Sequence, residues 1–192
     1  MNSEQIHALF LNSGALLNGH FRLSSGRHSS EYWEKFKVLQ RPRDVQLLCA
    51  VIVERYRSEQ IDVVMGPTTG GIILAFETAR QLGIDALYAE KDAEERLLRR
   101  GQQLPSGTRV LIIDDVMTMG GAVRECIGLS EKHEAHIVGT AVLVDRSGGK
   151  TILGYRQEAL LTVEAATYAP EDCPLCRDNI PMTEPGSSYL KK

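Results

Sequence analysis

Cysteine is scarce in this chain, four residues in 192, too few to staple a fold of this length. The architecture must rest on a hydrophobic core, and the thiols are expected to stay reduced in a cytosolic setting. No stretch approaches the ~20 consecutive apolar residues that cross a bilayer. The opening MNSEQIHALFLNSGALL also lacks the basic segment and small-residue cleavage site of a secretory leader, so a cytoplasmic protein is expected. Positive charge is not in excess either. With 22 Lys and Arg against 25 Asp and Glu, a net charge of −3, there is no broad cationic face of the kind that grips a nucleic-acid backbone. Neither internal repeats nor low-complexity linkers interrupt the chain. Two common nucleotide motifs are missing as well: there is no GxxxxGK[ST], and no GxGxxG follows the first strand.

What is there is an ordinary globular composition, 43% apolar and 24% charged, in a length that suits one domain burying roughly 70% of its extended-chain surface. Ser3 is placed to cap a helix carrying Ile6, Leu9 and Phe10 and stopped near Gly14; Val45, Leu48, Cys49, Ile52 and Tyr56 mark a second amphipathic stripe. The segment between them, GHFRLSSGRHSSEYW, reads as a polar loop. From residue 61 the pattern changes to short apolar runs at 61–66, 86–90, 109–114, 137–144 and 159–163, the signature of parallel strands buried on both faces. Helical stretches follow the first (Ile72, Ala75, Phe76, Ala79) and the third (Ala122, Cys126, Leu129). This alternation predicts an α/β fold, a doubly wound and mainly parallel five-stranded sheet with flanking helices. Cys49 and Cys126 fall on apolar stripes and are expected in the core. The last 25 residues, with Pro170, Pro174, Pro181 and Pro185, should be irregular and drape over the sheet. In such a sheet the ligand crevice lies at the carboxyl ends of the strands, where strand order reverses.

The most informative segment is VLIIDDVMTMGGAVRE, residues 110–125. A buried strand runs into two carboxylates, then into a Thr-x-Gly-Gly turn that opens a helix. The helix start exposes unpaired N–H groups and a partial positive charge, and Gly120 and Gly121 let backbone approach a phosphate. Asp114 and Asp115 suit the donor hydroxyls of a sugar. One junction thus offers both halves of a ribose 5-phosphate site; the plain alternative is a solvated pair of acids beside an ordinary turn. This stretch resembles the signature of type I phosphoribosyltransferases, the enzymes that use 5-phosphoribosyl 1-pyrophosphate (PRPP). The resemblance implies PRPP contacts from Asp114, Asp115, Val116, Met117, Thr118, Met119, Gly120, Gly121 and Ala122.

A second small-residue turn, Gly66-Pro67-Thr68-Thr69-Gly70-Gly71, follows the first buried strand. In the resembled family that position cradles pyrophosphate, which points to Thr68, Thr69, Gly70 and Gly71. Many orotate-type members carry a lysine where Gly70 stands, and another where Ser24 stands. Residues 91–107, KDAEERLLRRGQQLPSG, are too polar for core and lie where the family has a mobile lid reaching the neighbouring subunit. Lys91, Arg96, Arg99 and Arg100 are its candidate cations, with Lys91, Arg99 and Arg100 placed beside Asp114 and Asp115 in the catalytic set; a solvated turn is the alternative.

VLVDRSGG, residues 142–149, sets Asp145 and Arg146 at another strand end, and closely resembles the orotate-type branch, in which an arginine grips the pyrimidine's carboxylate. FRLSSGRHSSEYW, residues 21–33, resembles that branch's hood over the base, to which residues 1–60 and 165–192 would contribute around a core of 61–164. Thr118, Arg146 and Tyr32 are therefore the expected orotate contacts, with Trp33 packing nearby. The resemblance implies transfer of the phosphoribosyl group to orotate, giving orotidine 5′-phosphate in pyrimidine biosynthesis. It also implies Mg²⁺ brought mainly by PRPP, no protein metal ligands, and a homodimer sharing its lid. Two rivals are transfer to another base and a non-catalytic PRPP-binding regulator. Cys173-Pro174-Leu175-Cys176 supplies only two metal ligands with no second CxxC or close His pair beside it, and reads as a structural turn rather than zinc. His133 and His136 read as surface residues.

Overall fold

The computed structural model describes residues 1–23, 25–92, 95–164 and 166–184; Ser24 and Pro185 lie outside them. Helix α1 (Ser3–Ser13) is capped by Asn2 rather than Ser3: the Asn2 side chain accepts from the Gln5 N–H while the Gln5 side chain reaches back, and left-handed Gly14 ends it. The asparagine, one residue earlier, has the reciprocal glutamine partner three residues on, which Ser3 lacks. Strands β1 (Leu16–Arg22) and β2 (His28–Trp33) then form an antiparallel hairpin in the segment that reads as a loop. A short helix α2 (Phe36–Leu39) leads to α3 (Pro42–Arg55), which buries Val45, Leu48, Cys49 and Ile52 as the stripe predicts.

The remainder alternates: β3 (Val63–Pro67), α4 (Gly70–Leu82), β4 (Asp85–Lys91), β5 (Arg96–Leu97), β6 (Arg109–Met117), α5 (Gly121–Lys132), β7 (His136–Asp145) and β8 (Gln157–Thr162). Strands β4, β3, β6, β7 and β8 are parallel neighbours in that order, the five strands expected. The two-residue β5 adds a sixth, antiparallel edge. Residues alternate between two cores. Val64, Leu111 and Ile113 join α1, α3 and α4 on one face. Val63, Met65, Val110 and Ile112 join α5 on the other. Both faces are covered, so each inward residue stabilises by ~1.5–3 kcal/mol and the strands read as unbroken apolar runs.

On α4 the buried stripe is Leu74, Ala75, Thr78 and Ala79. Phe76, expected inside, is 65% exposed, because the face is shifted by about one residue from the one inferred. On α5, Cys126 and Leu129 are buried as expected, while Ala122 is half-buried in the first turn. Burial pushes the thiols of Cys49 and Cys126 up to about 12, as befits inert core residues. The C-terminal stretch carries β9 (Thr167–Tyr168), the short helix α6 (Pro174–Arg177) and β10 (Met182–Thr183). Its described residues, which end at 184, are not irregular but complete a second sheet, in the order β10-β1-β2-β9. Among the described residues no helix is long and apolar enough to cross a membrane.

Candidate active site

The chain leaves β3 for β4 on one side and returns to β6 on the other, so β3 and β6 flank the topological switch point. Their carboxyl-end turns, 68–71 and 114–121, meet there, where open α/β sheets bind ligands. The approach is close. A β-carbon on Gly70 would lie 1.7 Å from Asp115 Oδ2, one on Gly66 2.1 Å from the Gly71 carbonyl oxygen, and one on Gly71 2.5 Å from Pro67 Cδ. A lysine at position 70, as in many orotate-type sequences, would have to displace the Asp115 carboxylate from where it stands here. The Thr68–Thr69 peptide is cis.

Asp114 and Asp115 are 8% and 1% exposed. Asp114 Oδ1 accepts the Asp115 N–H at 2.8 Å, and Asp115 Oδ1 accepts the Val116 N–H at 2.6 Å. Burial, with the Asp115 carboxylate second, pushes Asp114 up to about 7. Asp115 has a partner that sequence reasoning missed: Lys35 Nζ, just before α2, donates to Oδ1 at 2.9 Å and sits 2.9 Å from Oδ2. Those residues are 80 apart in the chain, so spacing carried no signal of the pairing; the one hint was a cation directly after the hood motif.

The raised Asp114 fixes a sign. Between ~3.8 and about 7 the folded protein holds a proton that the unfolded chain has lost, so this group's contribution favours folding at low pH and fades as pH rises through 7. In thermal melts, Asp114→Asn should raise the midpoint at pH 8 by several degrees and by clearly less at pH 5, where only the first part of the ~3.8-to-7 window has been crossed. Equal shifts at both pH values would show that this carboxyl carries no such proton.

Beyond the acids, Asp114, Val116, Met117, Thr118, Gly120, Gly121, Ala122 and Val123 line a cavity of about 140 Å³ at the start of α5. Gly120 adopts φ +77°, and a β-carbon there would come 3.0 Å from Leu153 and Thr151 side chains; Gly121 faces open space. The roles of the two glycines differ: one is required by backbone conformation, the other leaves the mouth clear. Thr118 and Met119 are exposed, whereas the Met117 side chain is core, which leaves that residue only its backbone to offer.

The lid candidates divide. Lys91 pairs with Glu125 at 2.6 Å, Arg99 with Asp92 at 2.5 Å and Arg100 with Glu90 at 2.9 Å, all partly exposed. Arg96 departs from expectation, being 7% exposed. It donates to the Ala89 carbonyl at 2.9 Å and to Thr68 Oγ1 at 3.2 Å, and lies 2.9 Å from Glu125. Leu104 is also buried, so the segment 91–107 is anchored by a buried cation and a leucine rather than wholly solvated. Ala93 and Glu94 lie outside the described residues.

At the end of β7, Asp145 is buried and does not pair with its neighbour; Oδ1 accepts the Ser147 N–H at 2.8 Å and Oδ2 the Gly149 N–H at 3.2 Å, which shapes the turn. Arg146 Nε is buried without a hydrogen-bond partner among the described residues. Burial lowers its pKa, with Glu31 and Tyr32 opposing. The fold thus brings Arg146 to the β1–β2 hairpin and to Tyr32, which leans on Phe21 with ring centroids 5.7 Å apart. Trp33 is instead core, 6% exposed and edge-on to Phe10 at 5.4 Å.

Carboxylates, an amide-lined turn and a second glycine turn at one switch point define a transferase of the phosphoribosyl type. The model of the phosphoribosyl transferase domain family matches residues 37–152. An orotate phosphoribosyltransferase of Pelotomaculum thermopropionicum is 48% identical, over 99% of this chain and 100% of the relative. One from Caldicellulosiruptor bescii is 44% identical, over 97% and 98%. The crystal structure of the orotate phosphoribosyltransferase of Aeropyrum pernix superposes with a TM-score of 0.70 at 26% identity, over 83% of this chain and 94% of that one. The chain belongs to the orotate phosphoribosyltransferase family.

Proposed function

We propose that this protein transfers the 5-phosphoribosyl group of PRPP to orotate, releasing pyrophosphate and giving orotidine 5′-phosphate for pyrimidine biosynthesis, as a single domain working in the cytoplasm. The observation that carries the choice of base is Arg146, a partly buried guanidinium beside the hairpin whose Nε has no hydrogen-bond partner among the described residues and which a planar carboxylate would satisfy. Relatives named for this reaction match 99% and 97% of the chain.

In this reading the 5′-phosphate sits at the start of α5, held by backbone N–H groups from Thr118 to Ala122 and by the Thr118 hydroxyl. The ribose hydroxyls donate to Asp114 and Asp115. Positive charge develops on the ribose as the bond to pyrophosphate breaks, and two carboxylates beneath it favour that charge more than the neutral ground state. The turn of Thr68, Thr69, Gly70 and Gly71 receives the departing pyrophosphate. Lys35, poised on Asp115, and Arg96, behind Thr68, are the positive charges already at hand, while Lys91, Arg99 and Arg100 reach the site only if their ion pairs open. Tyr32 and Arg146 hold the orotate ring for in-line attack by its nitrogen.

The donor set suits Mg²⁺ shared with substrate: Asp114, raised by burial and a like charge, gains from a nearby cation. Bound with PRPP, the ion would supply charge neutralisation for the leaving group. A homodimer fits the exposed apolar side chains of Phe76 and Ile73 on α4, which a second copy would cover. Cys49 and Cys126 are buried free thiols, which accords with a reducing compartment.

Loss of the orotate absorbance band in the presence of PRPP and Mg²⁺, with hypoxanthine and uracil as controls, tests the assignment. Consumption of orotate alone is expected. Turnover of a control base with orotate untouched would move the protein to another branch, and PRPP binding without turnover of any base would make it a regulator.

A further inference from the structure

Between residues 166 and 184, Cys173 is the single buried residue among those described. Helix α6 buries nothing, and Ile180 and Met182 are 40% and 46% exposed. A segment with so little apolar burial needs another anchor to order it. The fold supplies the pieces of one. His20 on β1 and His28 on β2 lie diagonally across the hairpin on one face, since Arg22 is the register partner of His28. They are 3% and 5% exposed. Over them sit Cys173 and Cys176, from the CxxC turn 153 residues downstream of His20.

The ligating atoms converge. His20 Nε2 is 3.0 Å from His28 Nδ1 and 3.7 Å from both Cys173 Sγ and Cys176 Sγ, while Cys176 Sγ is 3.3 Å from His28 Nδ1. All four atoms lie within 4.8 Å of one another. A tetrahedral ion with bonds of ~2.0–2.1 Å to nitrogen and ~2.3 Å to sulfur has edges of about 3.3–3.8 Å, so the cluster is already close to that size. His20 Nδ1 faces the Ile180 carbonyl at 2.8 Å, which places the ring hydrogen there and leaves the Nε2 lone pair turned inward. A backbone acceptor on the far nitrogen is how ligating histidines are oriented. Two thiolates and two neutral imidazoles also cancel a 2+ charge, so the filled site would be neutral where three of its four residues are buried.

We propose that His20, His28, Cys173 and Cys176 form a closed tetrahedral site for a divalent ion of the zinc type, a structural clamp that fastens the C-terminal segment to the β1–β2 hairpin. Mixed sulfur and imidazole donors in this geometry select zinc over the oxygen-seeking Mg²⁺, and four protein ligands leave no open position for catalysis. The site is separate from the sugar-phosphate junction, and its test stands whether or not the transferase reading holds.

Untagged protein produced with zinc in the medium and desalted should carry about one zinc per chain by mass spectrometry of the metal. After stripping, cobalt should restore one equivalent with the intense visible bands of a tetrahedral ion and a thiolate-to-cobalt charge-transfer band. Cys176→Ser, altered at the exposed ligand, should keep its circular dichroism and lose ~100-fold or more in metal affinity, since even outer partners of ligands are worth 10–100-fold. Trypsin should cut after Arg177 sooner in the stripped protein than in the loaded one. A folded protein that takes up neither metal overturns the site, as does a Cys173–Cys176 disulfide that persists in protein prepared under reductant with zinc supplied. Metal retained undiminished by Cys176→Ser would overturn the ligand set. Should that variant not fold, His28→Asn and the cobalt spectrum of the native chain decide the same question.

Discussion

Replacing Asp115 with Asn is expected to leave the protein folded and to lower kcat by about 10²–10³-fold, the cost of removing one preorganised electrostatic group. Folding should survive because the amide oxygen still accepts the Val116 N–H, and because the cation set free, Lys35, has a side chain 38% exposed and can turn to water. Catalysis should not survive intact. In the free protein the buried Asp115 carboxylate already has one cationic partner, Lys35 at 2.9 Å. As the ribose becomes positive, that carboxylate gains a second partner, and the gain exists mainly in the transition state. The fall should therefore appear in kcat more than in the KM for PRPP. Steady-state rates beside a thermal melt check both halves; unchanged turnover in a folded variant would mean that the carboxylate is idle. Lys35→Met offers a contrast, since it strands a buried charge and should destabilise the free protein while sparing more of the rate.

The sequence showed the main sheet because its central strands β3, β6 and β7 are covered on both faces, and such strands leave continuous apolar runs that survive any uncertainty in register. It showed the Asp114–Gly121 junction because acids, turn and helix start are contiguous, so chemistry and spacing coincide. The hairpin was hidden by the opposite circumstance. Its buried residues include the polar His20, His28 and Ser29, which disguise the alternation by which a half-buried strand is recognised. What made them look like loop is what makes the hairpin a candidate for ligating metal. Arg96, expected as a cation of a mobile lid, was hidden for a related reason: a charged side chain is assigned to the surface unless its partners are known, and Ala89, Thr68 and Glu125 reach it only in the folded chain. Phe76 fails in the other direction. An apolar residue one position off the buried stripe looks the same in sequence as one on it. The Lys35–Asp115 pair and the four sulfur and imidazole atoms share a further property: their members are distant in sequence, so only tertiary structure relates them.

Substituting Arg146 by Ala should raise the KM for orotate on the order of 100-fold, about 2.7 kcal/mol, within the range for charged hydrogen bonds lost at a buried group, with the KM for PRPP little changed. The argument rests on what the free protein leaves undone around this side chain. Asp145, the acid beside it, is already committed to the Ser147 and Gly149 N–H groups. Glu31 and Tyr32 act on the guanidinium electrostatically, yet among the described residues Nε is buried without a hydrogen-bond partner. Burial lowers the pKa of the group, which signals that its charged form is held at a cost. A carboxylate on a planar ring can meet two guanidinium N–H groups at once and remove that cost, so the free energy released goes into binding one particular anion. The same reasoning fixes the stability of the variant. Alanine deletes an under-satisfied cation, so the melting temperature of the free protein should hold or rise, whereas a residue placed for stability would lower it. Arg146→Lys should not rescue binding, because a point charge cannot reproduce the paired geometry. Parallel increases in both Michaelis constants, or a lowered melt, would show that Arg146 supports the turn rather than the base.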